Sequence, residues 1–238
     1  MFKKMGRFIR FVIIFFIIVF CGVFAYIKVS PKPVISSANS IALYDNSGQV
    51  FFHGNESKEW ISLGEMSKYV IDATIYTEDK NFYKHFGFDF LRILKAGYIN
   101  IISGSTKQGA STITQQYAKN LFLDFDKTWK RKWDEMWYTL KIESNYSKDE
   151  ILEGYLNTIN YGHGKYGIEN ASKYYFNKSA KDLTLAEATI LTGIPKSPEN
   201  YSPLKNYDLA KKRQLLILDL LVKNKVITEK EKEDAYNE

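Results

Sequence analysis

A single cysteine, Cys21, stands among the 238 residues, so no disulfide can close within the chain. Histidine is nearly as scarce. His53, His85 and His163 are scattered, and none falls at a metal-ligand spacing, which leaves a zinc site without support. The stretch GSTKQGAS, residues 104–111, lacks the Gly-Lys-Ser/Thr ending of a P-loop and so disfavours nucleoside triphosphate hydrolysis. A serine nucleophile fares no better, because no histidine and aspartate stand at a spacing that would identify its partners. Internal repeats are absent, as are low-complexity tracts beyond one apolar run near the N-terminus.

With 45% hydrophobic residues, a chain of this length can bury one good-sized core but leaves little room for two large domains. The formal charge of +6 and a pI near 9.0 invite a nucleic-acid reading until the cations are located. Four of them, Lys3, Lys4, Arg7 and Arg10, precede FVIIFFIIVFCGVFAYI, an uncharged run from Phe11 to Ile27 that ends at Lys28. With Phe8 and Ile9 the segment reaches the roughly 20 residues that a transmembrane helix needs. A secretory signal has a shorter apolar core followed by a small-x-small cleavage site, which is not found here, so the segment reads as an uncleaved anchor. Phe20, just before Cys21, is too large for a lipoprotein processing site. The basic cluster puts the N-terminus in the cytoplasm and everything after residue 28 outside.

The expected organisation is a basic tail over 1–7, a membrane anchor over 8–27, a linker and small hairpin over 28–55, and one domain over 56–238. SPKPVISSANS, residues 30–40, is a Pro- and Ser-rich linker. IALYDNSGQVFF then sets a turn-forming Asp-Asn-Ser-Gly between two β-favouring runs and predicts a hairpin from 41 to 53. From Ser62 onward the periodicity is helical, and SLGE, SKDE, TLAE and TEKE each read as a capping box. The domain is mainly α. SGSTKQG, residues 103–109, reads as a mobile loop between two helices. The glycines Gly162, Gly164 and Gly167 mark sharp turns or close packing.

Chemistry-bearing residues cluster in a few places. EDKNFYKH, residues 78–85, sets Glu78 beside Asp79. In the helix around RKWDE, residues Trp129, Trp133, Met136, Trp137 and Leu140 follow the spacing of a buried stripe. That leaves Arg131, Lys132 and Glu135 on another face, where an ordinary i,i+4 ion pair is the plain reading. Lys119, Lys127, Lys130 and Lys141 add to the positive charge, and such a concentration suits a polyanion. A phosphate oxygen a few ångströms from a lysine gains on the order of 4 kcal/mol near a protein surface. GASTITQQ, residues 109–116, places hydroxyls and two glutamines near a helix start, where they can bind sugar hydroxyls or phosphate oxygens, or where Ser111 can serve as N-cap.

Taken in order, EDKNFYKHFGFD, GASTITQQYAKN, RKWDE, ILEGYLNTINYGHGKYGIENA and LTLAEATILTGIPKSPENYSP resemble the five successive motifs of the peptidoglycan glycosyltransferases of family 51. The resemblance covers about residues 60 to 215. It implies a mainly α, lysozyme-like glycosyltransferase domain with a membrane-proximal jaw lobe, preceded by one transmembrane helix. It also implies polymerisation of lipid II, the undecaprenyl-pyrophosphate-linked disaccharide pentapeptide, outside the bacterial cytoplasmic membrane. Because the chain ends near Glu238 without room for a transpeptidase, the monofunctional form is expected, with a truncated bifunctional protein as the alternative.

By that resemblance Glu78 is the catalytic base and Glu135 the second essential acid, acting near the donor pyrophosphate through a divalent metal or by positioning basic residues. Lys119, Arg131 and Lys132 match phosphate-binding positions. Ser111, Thr112, Gln115 and Gln116 match polar groups of the donor cleft. Asp79 has a supporting part, and Glu153 a structural one. Many relatives place Arg-Ala where this chain has Lys95-Ala96; lysine keeps the charge but loses bidentate geometry, so Lys95 is a weaker phosphate contact. The expected cofactor is Mg2+ or Mn2+, with no organic cofactor. Expected partners are lipid II, the growing lipid-linked glycan, the cytoplasmic membrane, penicillin-binding transpeptidases and divisome or elongation proteins, with no nucleic acid.

The apolar stretch FLRILKAGYINII, residues 90–102, either packs as a core helix or dips into the outer leaflet. Two rivals to the transferase stand. A lysozyme-like hydrolase would pair Glu78 with Glu135, but it must protonate a poor leaving group, and the cations around Glu135 favour the charged carboxylate. A noncatalytic membrane scaffold would dispense with Glu78 altogether.

Overall fold

Each of the four boxes read from the sequence closes in the computed structural model, although the first, Ser62 with Glu65, starts a short 3-10 turn rather than an α-helix. The structure describes residues 2–33, 35, 41–44, 50–54, 59–104, 109–123 and 129–238; at 2–9, 13, 16, 17, 19, 20, 41–44, 50–54 and 129 it describes the backbone alone. The expected hairpin turn at 45–48, most of the expected mobile loop (105–108), linker residues 34 and 36–40, and Lys127 lie outside the described residues.

Helix α1 (Phe2–Val29) is followed by the strands β1 (Ile41–Tyr44) and β2 (Val50–Gly54), which pair antiparallel with a register shift between Leu43 and Tyr44. Among the described residues ten α-helices follow: α2 (Lys68–Glu78), α3 (Phe90–Ser103), α4 (Ile113–Phe122), α5 (Trp129–Asn145), α6 (Lys148–Thr158), α7 (Ile168–Phe176), α8 (Leu185–Gly193), α9 (Pro198–Tyr201), α10 (Tyr207–Lys223) and α11 (Glu229–Asn237). Among the described residues no helix is long and apolar enough to cross a membrane; the run read as an anchor lies in α1, whose side chains are described only in part.

One apolar cluster joins α2, α4, α6, α7 and α8 through Val70, Ile113, Tyr117, Leu156, Ile168 and Leu191. A second joins α8, α10 and α11 to Ala73 of α2. Helix α4 packs on both α5 and α6. Its approach to α6 requires Gly154, because a Cβ there would collide with the Tyr117 hydroxyl. The Tyr117 hydroxyl itself donates to the carbonyl of Ile35, and Tyr146 donates to that of Pro33, so two phenols fasten the linker to the domain. Ahead of it, Lys28 donates to the Ser144 carbonyl at 2.6 Å, while Tyr26 and Phe24 meet the rings of Trp137 and Phe86. The end of α1 therefore rests on α5.

Two helices turn differently from expectation. Helix α5 buries Glu135, Thr139, Ile142, Glu143 and Ser144, whereas Trp133 is 67% exposed and Met136, Trp137 and Leu140 are half-buried. The buried face is the polar one because α4 supplies partners for it; the aromatic face meets the end of α1 instead. Helix α3 forms where FLRILKAGYINII predicts it, yet only Ala96 is buried. Leu91, Leu94, Tyr98, Ile101 and Ile102 are all exposed, which removes the core-helix reading.

Candidate active site

Helix α2 ends at Glu78 because Asp79 leaves helical backbone angles, and the buried Asp79 carboxylate then becomes the local anchor. It lies 3.0 Å from the His85 Nε2 on both oxygens and accepts from the Ile113 N–H at 3.1 Å. The first N–H groups of a helix have no partner within it, and the N-terminal end of the dipole favours an anion, so Asp79 satisfies α4 on both counts. The Arg92 guanidinium approaches the same carboxylate at 4.0 Å and donates to the Glu78 carbonyl. The junction of α2, α3 and α4 is thus fixed around one buried charge.

The start of α4 falls one residue later than Ser111 predicts. Thr112 is the N-cap, fully buried, accepting from the Gln115 N–H and donating from its hydroxyl to the Gly87 carbonyl at 2.7 Å. Gln115 closes this fifth capping box by accepting from the Thr112 N–H at 3.1 Å, while Ser111 stays exposed outside the helix. Gly87, at φ +77°, has no room for a side chain against Thr139.

Consecutive glutamines of α4 then reach the two acids. The Gln116 amide donates to Glu78 Oε2 at 2.8 Å, and the Gln115 amide donates to Glu135 Oε1 at 3.2 Å. Successive helical positions project about 100° apart, so the acids stand on different sides of α4. Glu78 is half-buried; Glu135 is only 4% exposed, and its charge is compensated by Lys132. That ion pair is i,i+3. A buried carboxylate left without such a partner would be strongly destabilising.

Of the other expected residues, Lys119 stands one helical turn beyond Gln115 and Gln116 on α4, half-buried, and Arg131 is half-buried beside Lys132. Lys95 is exposed on α3, one turn past Arg92. Glu153 accepts from the Trp60 indole at 2.8 Å and the Leu63 N–H at 2.9 Å, tying the segment before α2 to α6.

Four contributors were not anticipated as site residues. Arg92 holds the end of α2, His85 holds Asp79, and Tyr155 donates to Gln116 Oε1 at 3.1 Å. Glu143, buried two turns beyond Glu135, accepts from Thr114 and from Lys148 at 2.7 Å. The Thr-x-x-Gln spacing of a capping box was a legible signal for the α4 cap; the rest are long-range contacts that no local pattern encodes.

Among the described residues no group of three His, Cys, Asp or Glu could hold a metal ion. The Gln115 amide and the Lys132 ammonium both meet Glu135 at Oε1, so this site would offer a cation one carboxylate. That fits a hard divalent cation completed by phosphate oxygens and water rather than an all-protein cage.

Residues 46–222 match the family model described as Transglycosylase. The chain is 48% identical over 222 residues to penicillin-binding protein 2D of Bacillus subtilis, covering 92% of this chain and 32% of that protein. It is 43% identical over 199 residues to penicillin-binding protein 1A of Neisseria gonorrhoeae, covering 83% of this chain and 25% of that one. A crystal structure of penicillin-binding protein 1A from Haemophilus influenzae is similar with a TM-score of 0.46 and 22% identity, over 82% of this chain and 20% of that one. The chain thus spans about a third or less of the length of these relatives.

Proposed function

The chain belongs to the transglycosylase family, the peptidoglycan glycosyltransferases of family 51, and from that premise we propose that it polymerises lipid II into β-1,4-linked glycan strands. The observation that carries the reading is the pair of neighbouring amides on α4, Gln116 holding Glu78 and Gln115 holding Glu135. One side of α4 then serves the acceptor and the other the donor.

On the acceptor side, Glu78 takes the proton from the 4-hydroxyl of lipid II while that oxygen attacks C1 of the sugar at the reducing end of the growing chain. The bond from C1 to the α-linked pyrophosphate breaks, undecaprenyl pyrophosphate leaves with its electron pair, and the anomeric centre inverts. The proton on Glu78 passes to water. A positioned base contributes about 10²- to 10⁴-fold, and a glutamate has the ionised form this requires at neutral pH. Pyrophosphate is a good leaving group that needs charge neutralisation more than protonation, and Lys119, Arg131 and Lys132 are the cations for that task. Glu135 positions Lys132 and, through its carboxylate, would hold a Mg2+ or Mn2+ ion that neutralises phosphate charge when bound. Thr112 and Gln115 keep the start of α4 in register, while the exposed Ser111 and Lys95 are outer contacts to the substrate.

The substrate lies in a bilayer, and three features support a membrane-bound enzyme. They are the uncharged run from Phe11 to Ile27, the docking of the end of α1 on α5, and the exposed apolar face of α3. The reading is a single span with the N-terminus in the cytoplasm, the lysozyme-like domain outside, and α3 as part of a jaw lobe in the outer leaflet. The test is incubation of purified lipid II with the detergent-solubilised chain and magnesium. Long glycan that a muramidase digests, with release of undecaprenyl pyrophosphate, is expected; no polymer from folded protein that binds lipid II would favour the scaffold.

A further inference from the structure

Tyr155 takes no part in the reaction as written, yet it is a buried polar side chain that reaches Glu78 through one intermediary, Gln116. Its ring lies on α6, 1% exposed, and its hydroxyl donates to Gln116 Oε1 at 3.1 Å, while the other end of the same amide donates to Glu78 Oε2 at 2.8 Å. An amide has one donating and one accepting end, so what Tyr155 does at one end fixes what Glu78 meets at the other. With the phenol donating, Glu78 faces an N–H, which suits a carboxylate. With the amide reversed, Glu78 would face a carbonyl oxygen and would need a proton of its own to bond to it.

From this chain of bonds we propose that Tyr155 is a positioning residue for the base: it orients the Gln116 amide so that the Glu78 carboxylate meets an N–H and is aimed at the acceptor hydroxyl. The inference rests on the reading of Glu78 as base. Burial first, and the nearby Glu78 charge second, push the Tyr155 phenol well above its ordinary range, so it stays a protonated donor wherever the enzyme works. The other charged groups around Glu78 stay within their own contacts. Arg92 from α3 bonds the Glu78 backbone carbonyl rather than its carboxylate, and Asp79 is engaged by His85 and the Ile113 N–H. From α4 the direct contact is the neutral Gln116.

The experiment measures kcat and KM for lipid II from acid to neutral pH for wild type, Tyr155→Phe, Gln116→Met and the double variant, in the chain with α1 retained. Tyr155→Phe removes one hydroxyl and keeps the ring in the core. It should lower kcat about tenfold, with little change in KM, by freeing the amide that bonds a charged group. The acid limb of the profile should move to higher pH. Gln116→Met should move the limb the same way, and Tyr155→Phe added to it should change nothing further, because both act through one amide. A Tyr155→Phe profile with the wild-type acid limb, or effects that simply add, would overturn the proposal, even if thermal stability drops. Glu78→Gln in the same series separates the two ideas. If that variant turns over like wild type, the base reading itself falls; if it is inactive while Tyr155→Phe keeps the wild-type limb, only the positioning role falls.

Discussion

Along α3 only Ala96 is buried, whereas α4 buries Ile113, Thr114, Gln115, Tyr117, Ala118 and Leu121. The two helices are neighbours in sequence, and α3 is by far the more apolar in composition: FLRILKAGYINIIS against ITQQYAKNLF. Apolar content therefore does not tell which helix makes the core. Helix α4 is central because its polar side chains find partners on α2, α5 and α6, and its few apolar ones fill the cluster between them. Helix α3 leaves an apolar face that no other described residue covers, a surface suited to lipid.

The contrast can be broken most severely at the acids that α4 braces. Replacing Glu135 by Gln should reduce polymerisation by about 10²- to 10³-fold, the usual scale for removing one preorganised electrostatic group. Steady-state rates with saturating magnesium check it, and a rate near wild type would detach Glu135 from the donor side. Next comes packing. Ile113→Ala on α4 should cost about 2–5 kcal/mol, while Ile101→Ala on α3 should stay within about 0.5 kcal/mol, as read from thermal or denaturant unfolding in detergent. Equal losses would place α3 in the core after all.

A smaller effect is expected at the cap. Thr112→Val keeps the shape but removes the oxygen that receives the Gln115 N–H, and should destabilise by about 1 kcal/mol. The lipid side of the contrast is sharpened by labelling. A fluorophore on Leu94→Cys, in a Cys21→Ser background, should be quenched by spin-labelled lipids in vesicles, whereas one on the exposed Lys212→Cys of α10 should not. Equal quenching at the two positions would remove the lipid role of α3. Least of all should follow from Lys95→Ala, which is exposed and should leave the rate within about threefold, less than the loss of one typical hydrogen bond to a charged group.

Much of the frame was legible because it is local. Capping boxes satisfy donors within four residues, so Ser147, Thr184 and Thr228 could be read directly as helix starts. The glycines at 162, 164 and 167 all take positive φ, as expected of sharp turns. The face of α5 was not legible. Its three-four spacing shows an apolar stripe, but a stripe does not say whether protein or lipid covers it, and here Glu135, Thr139 and Glu143 turn inward to meet α4 and the loop before α3. The parts played by Arg92, His85 and Tyr155 were invisible for a related reason: each acts on a residue 6 to 39 positions away, across a helix junction. Glu78 and Asp79 illustrate the limit. Sequence sets them side by side, and only the fold divides their work, Asp79 buried as the anchor of α4 and Glu78 half-exposed beside Gln116.

That division is the centre of the account, and the most direct test is the turnover of Glu78→Gln on lipid II beside wild type. The variant's melting temperature and its binding of lipid II are measured on the same preparations. A fall of about 10²- to 10⁴-fold in kcat, with folding and binding retained, is the predicted result. Turnover near the wild-type rate would contradict it and would move the base to another residue of the junction.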